Sequence, residues 1–165
     1  MKAPASVLVI VTRRIGDVLL ATPLIRSLRR AWPGARIDAL VFAGTEQVLE
    51  ANADLDRVIT IRERPGLFEH LALLRRLWRR YDLAIATIPG DRPTLYAFAA
   101  GRYRVGMLIA TPKHRWKQTL LHRWAPFDDL DTHTVLMALR LADLLGIPRQ
   151  YEVVVAWSGA DEERV

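Results

Sequence analysis

The run Val7-Leu8-Val9-Ile10-Val11 constrains this chain most, because it is continuously apolar and rich in β-branched side chains, with no polar alternation. A strand facing water on one side alternates, whereas an unbroken run fits a strand buried on both faces of a parallel sheet. The run ends in Thr12-Arg13-Arg14-Ile15-Gly16-Asp17, and a helical pattern follows. Leu20, Leu24 and Leu28 share one face with Ala21, Ile25 and Trp32 beside it, while Arg26, Arg29 and Arg30 lie elsewhere. The chain therefore opens as strand, loop, helix. Pro23 leaves two readings open: a kink in one helix, or the first turn of a helix capped by Thr22.

The alternation continues. Strands are expected at 36–42, 56–61, 82–88 and 102–105, and helices at 45–51, 67–81, 94–100 and 131–145, with Pro33-Gly34, Gly44, Pro89-Gly90 and Gly146 as punctuation. The basic stretch from Lys113 to Trp124 reads as a loop with some helix, and Tyr151 to Ala156 as a last strand. Repeated strand and helix units specify an α/β domain whose parallel sheet carries helices on both faces.

At 165 residues, 51% apolar and 25% charged, the chain has enough apolar surface for one well-cored domain, which excludes intrinsic disorder. It has no Cys, which removes a disulfide framework, a thiolate zinc site and a Cys nucleophile together. No apolar run approaches the ~18 residues of a membrane span, and the apolar stretch near the start runs straight into Arg13-Arg14 without a cleavage site. A cytoplasmic protein is expected.

The net charge of +6 is unevenly spread: residues 57–123 hold fourteen Lys or Arg against four Asp or Glu. Of the 24 basic residues 21 are Arg, whose planar fork suits phosphate and carboxylate. A polyanionic partner fits this bias, and so does a solvated helix face for Arg75, Arg76, Arg79 and Arg80. Nucleic acid is not favoured: zinc-finger spacing, an aromatic RNP-like run and a basic recognition helix are all missing.

In parallel sheets ligands bind at the carboxyl ends of the strands, so the first β-to-α loop is the first candidate site. It carries neither G-x-G-x-x-G nor G-x-x-x-x-G-K-[ST], which opposes a nucleotide diphosphate held there. Gly16 permits a tight turn or close substrate approach. Asp17 reads either as a helix cap or as a general base at the mouth of a cleft.

The segment Arg13 to Leu28, R-R-I-G-D-V-L-L-A-T-P-L-I-R-S-L, resembles the opening of the lipopolysaccharide heptosyltransferases, the ADP-heptose-dependent glycosyltransferase family 9. Further similarity lies in Tyr81-Asp82-Leu83, Pro89-Gly90-Asp91-Arg92, Arg104-Val105-Gly106, His133 and Leu144-Leu145-Gly146-Ile147, so that it covers residues 5 to 157. The chain departs from the family pattern at Leu136, where a Glu often follows the His by three residues, and at Ile88-Pro89, where Gln usually precedes Gly.

The resemblance implies a Rossmann-like domain, the N-terminal half of a GT-B glycosyltransferase with its active site between two such halves. Residues 1–157 would form the acceptor-binding domain, and 158–165 the start of a linker to an absent C-terminal donor-binding domain. The implied chemistry is metal-independent, inverting transfer of heptose from the co-substrate ADP-heptose to the lipopolysaccharide inner core, with no cofactor. Asp17 would be the catalytic base. The acceptor, of Kdo-lipid A type, carries carboxylates and phosphates on a membrane-anchored lipid. Arg13, Arg14, Gly16, Arg62, Arg64, Arg92, Lys113, Arg115, Lys117, Arg123 and His133 are the candidates to meet it. Peripheral contact with the inner face of the cytoplasmic membrane follows from the same resemblance. The alternative is a freestanding module that binds an anionic ligand or nucleic acid without catalysis.

Overall fold

A computed structural model describes residues 2–111, 115–127 and 134–154. Six strands, β1 (Ser6–Val11), β2 (Arg36–Phe42), β3 (Arg57–Ile61), β4 (Tyr81–Ala86), β5 (Gly101–Leu108) and β6 (Arg123–Pro126), form one sheet in the order β3-β2-β1-β4-β5-β6. Every pairing is parallel. The connecting helices are α1 (Ile15–Leu20), α2 (Thr22–Ala31), α3 (Leu67–Leu77), α4 (Asp91–Ala100), α5 (Arg115–Leu120) and α6 (Thr134–Leu145). This is a Rossmann-like α/β fold, and the strand order reverses between β1 and β4, where a crevice opens at the carboxyl ends.

The first strand is central, as its pattern requires: Val7 to Val11 are all buried. Val7, Val9 and Val11 face one core cluster with Leu24, Ile25 and Leu28 of α2 and Leu141 of α6. Leu8 and Ile10 face the other, with Leu73 and Leu77 of α3 and Tyr96 of α4. The period-two alternation of strand side chains thus feeds two helical layers from one apolar run.

The break after α1 decides the role of Pro23. Ala21 closes α1 and opens α2, and Pro23 lies in the first turn of α2, where its missing N–H costs nothing. Thr22 does not cap this helix: its hydroxyl donates back to the carbonyl of Leu19 at 2.7 Å.

Several elements differ from the sequence expectation: the helix expected at 45–51 is a three-residue 3-10 turn, Glu46–Val48, the helix expected to reach 81 ends at Leu77, and the strand expected at 102–105 extends over Gly101–Leu108. β6 begins in the last two residues of the stretch read as loop and helix and runs beyond it; Pro126 ends it, at the edge of the sheet where a missing N–H is tolerated. The strand expected at 151–156 is not one over its described part, 151–154. Residues 150–154 instead run along α2 as a strap, Gln150 N donating to Ser27 Oγ at 2.8 Å and Val154 N to Thr22 Oγ1 at 3.0 Å. Arg26 holds Glu152 in the same strap. The expected linker start, 158–165, lies outside the described residues. Among the described residues, no helix is long and apolar enough to cross a membrane.

Candidate functional site

The loop leaving β1 turns into α1 at Arg14, which occupies the cap position with extended backbone (φ −65°, ψ 159°) and makes no side-chain cap bond. Asp17 therefore stands as the third residue of α1, in its first turn and not at the cap. Its N–H donates to Arg14 O at 3.0 Å, and its carboxylate meets Arg13 Nη1 at 3.8 Å, too long for a hydrogen bond. Among the described residues that carboxylate accepts no hydrogen bond, although only 22% of the side chain is exposed. A carboxylate held near a helix N-terminus, favoured by the dipole there and left with free lone pairs, is available to a ligand proton.

Two cavities meet at Asp17. One, of about 920 Å³, runs between the loops after β1 and β2 and is lined by Thr12, Arg13, Arg14, Phe42, Thr45 and Glu63 among others. The other, of about 70 Å³, lies against the exit of β4 and the start of α6, with Thr87, Phe127, Met137 and Ala138 around it. Asp17 and Arg13 line both. Glu63, Phe42 and Thr87 were not singled out in the sequence, because each comes from a different β-to-α exit and only strand order brings them beside the first loop.

Gly16 sits in α1 with no positive φ, and a Cβ built on it meets nothing within 4 Å. The turn does not require glycine there. What remains is open space in front of the residue preceding Asp17.

The other basic candidates divide by position. Arg62 and Arg64 leave the carboxyl end of β3, both exposed; Arg62 is engaged by Glu69, which raises its pKa and lowers that of Glu69. Arg92, also exposed, donates to the Glu63 carbonyl and so ties the start of α4 to the β3 exit that lines the larger cavity. Arg115 is exposed at the start of α5.

Two candidates are corrected. Lys117 is not a free contact for a ligand: it is 4% exposed and its ammonium pairs with Asp91 Oδ1 at 2.5 Å, fixing α5 to the first turn of α4. Arg123 does not rim the cleft, because its Nη1 donates to Leu144 O at 2.6 Å, in the last turn of α6. Leu144 lies seven residues beyond Met137, about 10 Å further along the helix from the cavity at Asp17. Lys113 and His133 lie outside the described residues.

The Tyr81-Asp82 pair is structural. Asp82 Oδ2 accepts from Ala5 N at 3.0 Å and Ser6 N at 3.2 Å, stitching β4 to the start of β1. Tyr81 donates to buried Asp38 at 2.6 Å, and burial with that carboxylate pushes its hydroxyl pKa far up.

The chain is similar to known proteins in both sequence and fold. No protein-family model matches the chain. A lipopolysaccharide heptosyltransferase 3 of Escherichia coli K12 is 31% identical over 144 residues, 82% of this chain and 41% of the relative. A second Escherichia coli heptosyltransferase 3 is 34% identical over 77 residues, 42% of this chain and 22% of the relative. The chain thus spans less than half the length of the curated relatives it matches. In fold it is similar to a family 9 glycosyltransferase from Veillonella parvula, with a TM-score of 0.84 at 20% identity over 99% of this chain and 48% of that one. It is also similar to Escherichia coli heptosyltransferase WaaC solved with ADP-2-deoxy-2-fluoro heptose, with a TM-score of 0.73 at 23% identity over 89% of this chain and 50% of that one. In sequence this chain is thus similar to lipopolysaccharide heptosyltransferases, and in fold it is similar to a family 9 glycosyltransferase.

Proposed function

We propose that this chain is the acceptor-binding, N-terminal half of an inverting glycosyltransferase that moves heptose from ADP-heptose to the inner core of lipopolysaccharide. The observation that carries the reading is Asp17: a carboxylate without a hydrogen bond among the described residues, in the first turn of the helix after β1 beside the strand-order reversal, shared by two cavities. The named relatives support the substrate kind, since one is a heptosyltransferase solved with an ADP-heptose analogue.

In this mechanism the acceptor hydroxyl oxygen attacks the anomeric carbon of the heptose as the bond from that carbon to the ADP oxygen breaks. The new glycosidic bond forms on the opposite face, and ADP leaves with the bonding pair. Asp17 takes the hydroxyl proton during the attack, which raises the nucleophilicity of the oxygen when it is most needed. The step uses no metal in this reading. Arg13 and Arg14, which line the larger cavity, and Arg64 and Arg92, which follow the neighbouring strand exits, supply cationic forks for the carboxylates and phosphates of a Kdo-containing acceptor. Gly16 leaves the space in which the sugars approach each other next to Asp17. The donor nucleotide is held chiefly by a second half outside these 165 residues, and the protein works at the cytoplasmic face of the inner membrane.

The experiment is heptose transfer by the full-length protein carrying Asp17→Asn, with ADP-heptose and a Kdo-containing inner-core acceptor. Loss of a general base predicts kcat lower by about 10²–10⁴-fold with acceptor affinity kept. Transfer within a few-fold of the unaltered protein removes Asp17 from the chemistry. Full activity in the presence of EDTA checks the metal-independent step, and its abolition, restored by a divalent cation, overturns that part of the reading.

A further inference from the structure

Helix α3 turns an unusual face to solvent. Phe68 is 89% exposed, Leu67 71% and Leu71 52%, whereas Leu73 and Leu77 on the opposite side are buried in the core. At 100° per residue, Phe68, Leu71, Ala72 and Arg75 share one stripe, with Leu67 and Arg76 at its borders. A helix that needs only one apolar face for its core here carries two.

The charge around the second face has one sign. Arg75 and Arg76 are exposed and make no ion pair among the described residues, and the same holds for Arg80 just beyond the helix. The one acid of α3, Glu69, is engaged by Arg62. At the far end Trp78 is 57% exposed, with the Arg79 guanidinium 5.8 Å from its ring centroid. Because α3 joins two parallel strands, it runs from the carboxyl-end loops back along the flank of the sheet. The apolar ridge thus begins beside the loop whose Glu63 lines the larger cavity.

From this we infer that the exposed face of α3, Leu67, Phe68 and Leu71 with Arg75 and Arg76, docks onto an anionic lipid bilayer. The apolar side chains enter the interface between headgroups and acyl chains, and the guanidinium groups lie at the level of the lipid phosphates. A protein partner with an apolar groove would leave the unpaired arginines without counter-charges, whereas a bilayer rich in anionic headgroups supplies both solvents at once. Docking in this orientation presents the cavity beside Asp17 to the membrane edge. The surface does not depend on the transfer chemistry, so the two readings fail separately.

The test is co-flotation of the full-length protein with vesicles of 30% phosphatidylglycerol in phosphatidylcholine and with phosphatidylcholine vesicles alone. Binding to the anionic vesicles is expected to exceed binding to the neutral ones at least tenfold. Phe68→Ser with Leu71→Ser should weaken it roughly tenfold or more, and Arg75→Gln or Arg76→Gln roughly fivefold each. All four side chains are exposed, so thermal melts of the variants should match that of the unaltered protein. Transfer to a soluble, delipidated acceptor should also be unchanged in Phe68→Ser with Leu71→Ser. Vesicle binding that ignores these substitutions overturns the inference. So does a protein that self-associates through this face and becomes monomeric in the Phe68→Ser, Leu71→Ser variant, or one that loses transfer to the soluble acceptor.

Discussion

Gly16 shows how a single residue can be explained by what is missing around it. A glycine inside a helix costs about 0.5–1 kcal/mol relative to alanine, yet a Cβ at Gly16 would meet nothing within 4 Å in this domain. Gly16→Ala should therefore raise the melting temperature while lowering kcat/KM for transfer, because the added methyl intrudes where a sugar must approach Asp17. A calorimetric scan and a transfer assay read the two effects, and a variant that gains stability with unaltered transfer removes the close-approach role. His122 carries a second residue-scale expectation. Its ring accepts from Arg104 N at 3.1 Å and stacks on Tyr103 at 4.7 Å, and burial, then the charges of Arg104 and Arg79, lower its pKa. The folded state thus binds this proton less readily than the unfolded chain. Its stabilising effect is complete above the ordinary value of 6.5 and declines as pH falls below it. His122→Phe, which keeps the stack, should flatten the fall in melting temperature between pH 7 and pH 5; an unchanged slope means that other groups set it.

At the scale of elements, legibility in the sequence followed how strongly local pattern and burial agree. β1, β2 and β3 fall within a residue of their expected bounds, because each is an apolar run between strong breakers. β6 was not legible: Arg-Trp-Ala-Pro has no alternation, and only the neighbouring β5 makes it a strand. The segment 151–154 misled in the opposite sense. Its β-branched residues read as strand, but polar side chains of α2 capture its backbone before any strand can. Asp17 and Arg13 were legible as loop residues, whereas Glu63 and Thr87 enter the site only through the β3-β2-β1-β4 order, which no local signal encodes. Lys117 shows the same limit, since its burial depends on α5 lying against α4. That contact makes its own prediction. Asp91→Ala leaves an ammonium with 6% side-chain exposure unpaired, and should cost about 1–2 kcal/mol, less than a fully buried pair because Asp91 is itself 68% exposed. Lys117→Met, which removes the charge and keeps the stem, should cost less in the same denaturant titration. The reverse ranking means that the pair is not what fixes α5.

The whole molecule is polar along its strands. All six run the same way, so β-to-α exits collect at one end and helix C-termini at the other. The basic residues partition with them: Arg13, Arg14, Arg62, Arg64 and Arg92 follow carboxyl ends of β1, β3 and β4, while Arg123 is spent on the last turn of α6. An acceptor bearing carboxylates and phosphates should bind the first set, through contacts that are exposed and hence screened, and its affinity should fall steeply as salt rises toward a Debye length of ~8 Å at 0.15 M. Titration calorimetry of the full-length protein with a delipidated, phosphorylated Kdo-containing oligosaccharide at several salt concentrations measures that dependence. Arg14→Gln and Arg64→Gln should each weaken binding at low salt and make the salt dependence shallower. Arg123→Gln should leave both unchanged even where it lowers the melting temperature, because its guanidinium faces a helix carbonyl. Equal loss from Arg14→Gln and Arg123→Gln would mean that total charge, rather than the carboxyl-end pole, attracts the acceptor.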